Sequence, residues 1–187
     1  MGKARVIKYS PMLQHTGTWL RGYDWQIYGC GTYREEVTAP WAQTLIKRYF
    51  DRLRRKLRCP VSYYAGLERR YSGCGGSEIR PHWHFLAAAD GSEGMAEKAT
   101  DLWKELFGIA KIEPYDANRW GAYYVCKLAV HQNGHVESHG LERLGYHGPS
   151  DLIAAARSNP YVPDHLKDKV FGEFLRVTDA DPDTSQE

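Results

Sequence analysis

Two histidines one residue apart, His82 and His84 in IRPHWHFLAAAD (79–90), are the first residues of this chain whose spacing could do chemistry. In an extended strand, side chains alternate faces. Both imidazoles then point the same way and Trp83 points the other. Two neutral imidazoles so placed can grip one divalent cation. Glu68, in AGLERRY one strand earlier, would lie roughly opposite them if the two strands pair. A His-His-Glu set offers a hard oxygen and leaves positions open, which suits Mg²⁺ or Mn²⁺, and zinc takes the same set in hydrolases. Glu78 is the alternative carboxylate, at the turn. Glu68 could also be committed to an ion pair with Arg69, Arg70 or Arg80.

A second cluster lies in GAYYVCKLAV (121–130). Tyr124 and Lys127 are three apart, and Tyr123 and Lys127 four apart, so on a helix both tyrosines neighbour the lysine. A phenol titrating near ~10 is a weak nucleophile at neutral pH. A nearby ammonium and a metal-polarised phosphate would compensate. Core packing is the competing explanation for a tyrosine on such a helix.

The elements that must position these groups can be read from the pattern. Residues 1–22, punctuated by Pro11, Gly17 and Gly22, read as an irregular lead-in. Strands are expected at 24–35, 60–71, 79–89 and 109–115, with a glycine-rich turn at 72–78 making a hairpin of the second and third. A helix is expected at 38–58, capped by Thr38, with Trp41, Leu45, Tyr49 and Leu53 on its inner face and a basic outer face. Two more are expected at 92–108, from Ser92 to Gly108, and at 116–130, opened by Asp116. The order βαββαβα predicts an α+β fold: a central antiparallel sheet covered by helices on one face, close to the ferredoxin-like split βαβ arrangement. Residues 1–130 would form the core. A C-terminal helical extension at 131–177 would pack on it, with 131–140 a loop and helical patterns at 149–158 and 163–176. Residues 178–187 would be an acidic tail.

A chain of 187 residues, 42% hydrophobic and 26% charged, suits one soluble domain that needs neither disulfide nor structural metal to fold. The net charge of +2 is unevenly spread: residues 1–70 carry 14 Lys+Arg and 5 Asp+Glu, residues 71–187 carry 11 and 18. The basic half, densest in IKRYFDRLRRKLR (46–58), suggests a polyanionic partner such as nucleic acid. Cys30, Cys59, Cys74 and Cys126 form no CxxC pair, which argues against a zinc knuckle. With no apolar signal region near the N-terminus and no run long enough to span a membrane, a reducing, cytoplasmic setting is expected.

The order Glu on one strand, HxH on the next, a helix, a strand, then YxxK on a helix resembles the HUH endonucleases, specifically the rolling-circle replication initiators (Rep proteins) of plasmids, phages and small single-stranded DNA viruses. HWHFLA looks like the HUH motif and YVCK like the tyrosine motif. KIEPYDANRWGAYYVCKLAV looks like the strand-then-helix segment of prokaryotic and phage initiators, and the likeness spans about residues 24–130.

The resemblance implies an HUH/Rep nuclease fold. His82 and His84 would be metal ligands, with Glu68 the third, and Mn²⁺ or Mg²⁺ the cofactor. Tyr124 would be the nucleophile, with Tyr123 the alternative, and Lys127 would steady the phosphate or phenolate. It implies sequence-directed nicking and rejoining of single-stranded DNA through a 5′-phosphotyrosine link, at an origin hairpin or stem-loop in a prokaryotic host. Arg69, Arg70, Arg80 and the basic helix would hold backbone phosphates. No GxxxxGK[ST] is present, so a separate helicase and polymerase are expected, with no use of ATP. Three other readings stand beside this one. The first is a single-tyrosine HUH transposase. A relaxase is disfavoured by having only two clustered histidines, with the tyrosine after them. The others are a non-catalytic nucleic-acid-binding module of the same fold and a zinc hydrolase or cupin-like protein.

Overall fold

The alternation expected around Trp83 is what the sheet is built on. The computed structural model describes residues 11–70, 78–91, 93–119, 121–130 and 136–145. Its elements are α1 (Pro11–Arg21), β1 (Ile27–Tyr33), α2 (Ala39–Leu57), β2 (Val61–Arg70), β3 (Glu78–Ala89), α3 (Met95–Leu106), β4 (Gly108–Pro114), α4 (Gly121–Val130), β5 (Val136–His139) and a 3₁₀ turn at Leu141–Leu144. The chain is α+β. Its five strands form one sheet in the order β4-β1-β3-β2-β5, every neighbouring pair antiparallel. Since β1 and β2 both run antiparallel to β3, they are parallel to each other with β3 between them.

Helices cover both faces of the sheet, not one. Trp83, Phe85 and Ala87 of β3 point to the face under α2 and α3, where they join Tyr49, Phe50, Leu53 and Trp103. Leu86 and Ala88 point to the other face, under α1 and α4, and pack with Leu20, Ala122, Val125 and Cys126. Strands apolar on both alternating sets need cover on both sides. The HxH pair hides this, because its half of β3 is polar on one face only.

Several local expectations are corrected. Residues 11–21 are helical, not irregular: Pro11 sits in the first turn, where no N–H is needed. Gly17 lies inside α1 because a Cβ there would overlap the Tyr123 ring of α4. The glycine permits close helix packing instead of ending the helix. On α2, Ala42, Ile46, Tyr49, Phe50 and Leu53 are buried, whereas Trp41 is 45% exposed beneath the Arg48 guanidinium, 5.1 Å from its ring. Tyr49 and Leu53 of the expected inner face are buried and Leu45 packs partly against the core, so Trp41 alone departs from it. Thr38 does occupy the N-cap position, but its side chain makes no cap bond.

Helix α3 starts at Met95 behind Gly94, and Ser92 lies outside the described residues. Helix α4 starts at Gly121, not at Asp116. The Asp116 side chain instead accepts from the backbone N–H of Asn118 (2.9 Å), closing a turn before the helix. The sheet also runs past residue 130. Val136–His139, expected to be loop, is edge strand β5, paired with Tyr63–Gly66 of β2. Lys47 of α2 reaches Glu137 on it at 3.2 Å. The expected turn at 72–78, apart from Glu78, and the helices and tail expected after 145 lie outside the described residues. Among the described residues, no helix is long and apolar enough to cross a membrane.

Candidate metal centre and its tyrosine

The cross-strand register brings the expected carboxylate to the histidines. Glu68 is directly opposite His82, and Gly66, with no side chain to intervene, is opposite His84. Directly opposed residues share a face of the sheet. One carboxylate oxygen, Glu68 Oε2, lies 3.2 Å from His82 Nε2 and 3.1 Å from His84 Nε2. Glu68 is 2% exposed and His84 5%. A buried carboxylate between two imidazoles is costly unless its charge is met.

The strand itself aims His82. The β2–β3 pairing is regular up to Glu68–His82 and then shifts, resuming at Arg70–Glu78. Pro81, which cannot donate to a ladder, sits in this irregular stretch. Bulges of this kind re-aim side chains next to sites. Here the Arg80 carbonyl accepts from His82 Nδ1 at 3.0 Å. That bond fixes the tautomer: Nδ1 carries the proton, and Nε2 presents its lone pair to Glu68 Oε2. Two lone pairs 3.2 Å apart repel unless a proton or a metal ion lies between them. Tyr28 Oη stands 3.1 Å from His84 Nδ1 and can fix the second ring in the same way. Burial, followed by the charges of Cys30, Tyr124 and Glu113, pushes the Tyr28 phenol well above its ordinary titration, so it stays protonated.

The donor spacing fits a cation. Adjacent donors on a six-coordinate ion with bonds of about 2.1 Å are about 3.0 Å apart, and on a tetrahedral ion about 3.4 Å. A further donor, missed in the sequence, is Cys30. It faces His84 across the β1–β3 pair, and Cys30, His82 and His84 present ligand atoms within 4.8 Å of one another, a cluster that could hold a metal ion. Its thiol is pushed up to about 11 by burial and then by the Glu68 charge, with Lys111 opposing. Glu68 Oε2, within 3.2 Å of both Nε2 atoms, is the better donor for a hard cation, and Cys30 must shed a proton to compete. The spacing of the cysteines gave no signal for this role. Cys30 reaches the site because β1 pairs with β3, a contact between strands about fifty residues apart.

The two tyrosines of α4 part company. The Tyr124 ring stands edge-on to His84, 4.5 Å between centroids at 67°, and is 38% exposed. Tyr123 turns to α1, its ring against Gly17 and its hydroxyl 3.0 Å from Thr18 Oγ1. The side chains of Lys127, Arg69, Arg70 and Glu78 lie outside the described residues. Arg80 is exposed and donates to the Arg34 carbonyl at 3.3 Å. The basic helix α2 lies on the opposite face of the sheet, so its cations do not flank the histidines.

No family model matches the chain, and neither does any curated protein or solved structure. The functional reading therefore rests on the geometry and on the sequence pattern.

Proposed function

We propose that the chain is an HUH-type endonuclease of the replication-initiator kind. It would nick and rejoin single-stranded DNA through a covalent tyrosine intermediate. The observation that carries this reading is the convergence of His82 Nε2, His84 Nε2 and Glu68 Oε2, with the Tyr124 ring against His84. The βαββαβ run with strand order β4-β1-β3-β2 supports a ferredoxin-like, split βαβ core, to which α1 and β5 are additions.

His82, His84 and Glu68 would hold Mn²⁺ or Mg²⁺, which supplies charge neutralisation at the scissile phosphate. The Arg80 carbonyl accepts from His82 Nδ1, and Tyr28 Oη, by accepting from His84 Nδ1, would leave the second Nε2 free for the metal. Tyr124 Oη gives up its proton and bonds to phosphorus. The bond from phosphorus to the 3′ oxygen breaks, and that oxygen leaves as a 3′-hydroxyl after taking a proton. The 5′-phosphate stays on Tyr124, so the bond energy is kept and a later 3′-hydroxyl can reseal the strand without ATP. Lys127, one turn along α4 by sequence, is assigned to the charge developing on the phenolate or phosphate. Arg69, Arg70 and Arg80 are assigned to neighbouring phosphates.

The test is to incubate the protein with end-labelled single-stranded oligonucleotides and Mn²⁺, then search for an adduct that survives denaturation. The expected result is an adduct blocked by EDTA, absent in Tyr124→Phe and retained in Tyr123→Phe. An adduct that persists in Tyr124→Phe would overturn the assignment of the nucleophile. No adduct with any origin-derived sequence would leave a binding module in place of an enzyme.

A further inference from the structure

The histidine pair has a second flank. Strand β3 runs between β1 and β2. His82 faces Glu68 on β2, and His84 faces Cys30 on β1. Directly opposed residues share a face, so all four side chains stand on one side of the sheet. A carboxylate therefore lies on one side of the two imidazoles and a thiol on the other, each one strand spacing of about 4.8 Å away.

Cys30 does not fill the core. Cys59 packs against the cluster under α2 and α3, and Cys126 is buried in the cluster under α1 and α4. Cys30 is half-buried and belongs to neither. Its backbone is fixed from behind. A Cβ on Gly29 would overlap the Phe85 ring, and one on Gly31 the Trp103 ring, so β1 lies close against the packed face on both sides of Cys30. Lys111, opposite Cys30 on β4, is exposed and pairs with Glu113 at 3.4 Å.

The ligand atoms of Cys30, His82 and His84 lie within 4.8 Å of one another. Sulfur and nitrogen donors on a tetrahedral zinc ion are about 3.6 Å apart, a closure of at most about 1.2 Å that rotation about the one side-chain bond of a cysteine can supply. One thiolate and two imidazoles make a set that favours zinc, and zinc stands above manganese in affinity for nitrogen and sulfur sites. The carboxylate set suits the hard cations.

We propose that His82 and His84 are shared by two alternative cation sites, one completed by Glu68 for Mn²⁺ or Mg²⁺ and one completed by Cys30 for Zn²⁺, so that zinc expels the hard cation. The thiol proton passes to solvent as the bond from sulfur to zinc forms. Both ions need both imidazoles, so the chain holds one ion or the other. The inference rests on the histidine pair as the metal ligands of the function proposed above, and it adds regulation of that function by zinc.

The experiment uses the full chain, stripped with EDTA and desalted, and reads metal without DNA. Bound Mn²⁺ is followed by electron paramagnetic resonance and Zn²⁺ by calorimetry and by its displacement of Mn²⁺. The expected result is one equivalent of Mn²⁺ displaced by one equivalent of Zn²⁺. Cys30→Ser should lower the ratio of zinc to manganese affinity at least about 10-fold, since a lost ligand costs no less than a lost outer partner. A second readout needs no variant: Zn²⁺ should slow alkylation of Cys30 by iodoacetamide, located by peptide mass spectrometry, and Mn²⁺ should not. An unchanged affinity ratio, alkylation of Cys30 that zinc does not slow, or both ions bound together overturns the proposal. Mn²⁺ binding with an unchanged ratio would leave the function proposed above standing without the zinc site. Zinc held through Cys30 with no Mn²⁺ binding would uphold the zinc site and remove the cation from that function. Binding of neither ion overturns both.

Discussion

The two faces of the sheet are built for different ends. Under α2 and α3, aromatic rings interlock: Phe50 stacks on Tyr63 at 3.8 Å, Tyr49 meets Trp103 at 4.9 Å, and Phe85 and Trp83 are fully buried beside them. Polar ends there are satisfied in series, with Trp83 Nε1 donating to Tyr33 Oη and that hydroxyl donating to the Ala42 carbonyl. Under α1 and α4 the apolar cluster is smaller, and Glu68, His82, His84, Tyr28 and Cys30 take the rest of the area. A cavity of about 320 Å³ between α2 and β5 belongs to the packed side, and the charged groups at its mouth pair with one another, Lys47 with Glu137 and Arg54 with Asp51. The comparison teaches that one face supplies the rigidity that the other spends. Strand β3 serves both through alternate residues.

The contrast breaks most sharply at Trp83. Trp83→Ala should cost about 3–5 kcal/mol, read by urea unfolding, and lose the site along with the fold. Glu68→Gln acts on the other face. It should keep the fold and weaken Mn²⁺ binding, measured by calorimetry, by more than the ~10- to 100-fold typical of removing an outer partner. Tyr28→Phe removes only the hydroxyl at His84 Nδ1 and should fall within that range. If Glu68→Gln and Tyr28→Phe lose equal affinity, Glu68 is not a ligand.

A smaller effect is readable in alkali without metal. The Cys30 thiol titrates at 9.0 in the ordinary case and at about 11 here. Below the lower value, both folded and unfolded thiols are protonated and the difference is silent. Between the two, only the unfolded thiol ionises, so stability falls as pH rises through that window. Cys30→Ser should flatten the fall of melting temperature from about pH 9 to 11, and an unchanged slope would place the loss elsewhere. The least effect is expected behind the sheet. Arg52→Ala with Arg55→Ala, both exposed on α2, should change single-stranded DNA affinity by less than about 2-fold at 0.15 M salt, where long-range charge is screened. A larger loss would show that the packed face also meets DNA.

Much of the site was legible because its signals are local. Period-two alternation put His82 and His84 on one face, and a short hairpin put Glu68 opposite. What was not legible depends on distant pairing. Cys30 and Tyr28 join the site only once β1 docks on β3, and β5 becomes a strand only because β2 offers it an edge. Helix α2 keeps Tyr49 and Leu53 of its expected stripe and adds Ala42, Ile46 and Phe50 to the buried set, which the sheet decides, and Trp41 is left to its cation. Gly17 reads as a breaker in isolation and becomes a packing residue only when Tyr123 is seen above it.

The placement of both histidines on one strand has a further consequence. A displacement of β3, from repacking behind it or from thermal motion, carries both imidazoles together and leaves their 4.9 Å separation nearly intact. Such an error is common to both detectors and cancels between them, as in a differential measurement. Glu68 and Tyr124 ride on different elements and act as the reference. Substitutions in the packed face would therefore tune the distance from the histidine pair to its partners without disassembling the pair, a single adjustment screw hidden behind the site.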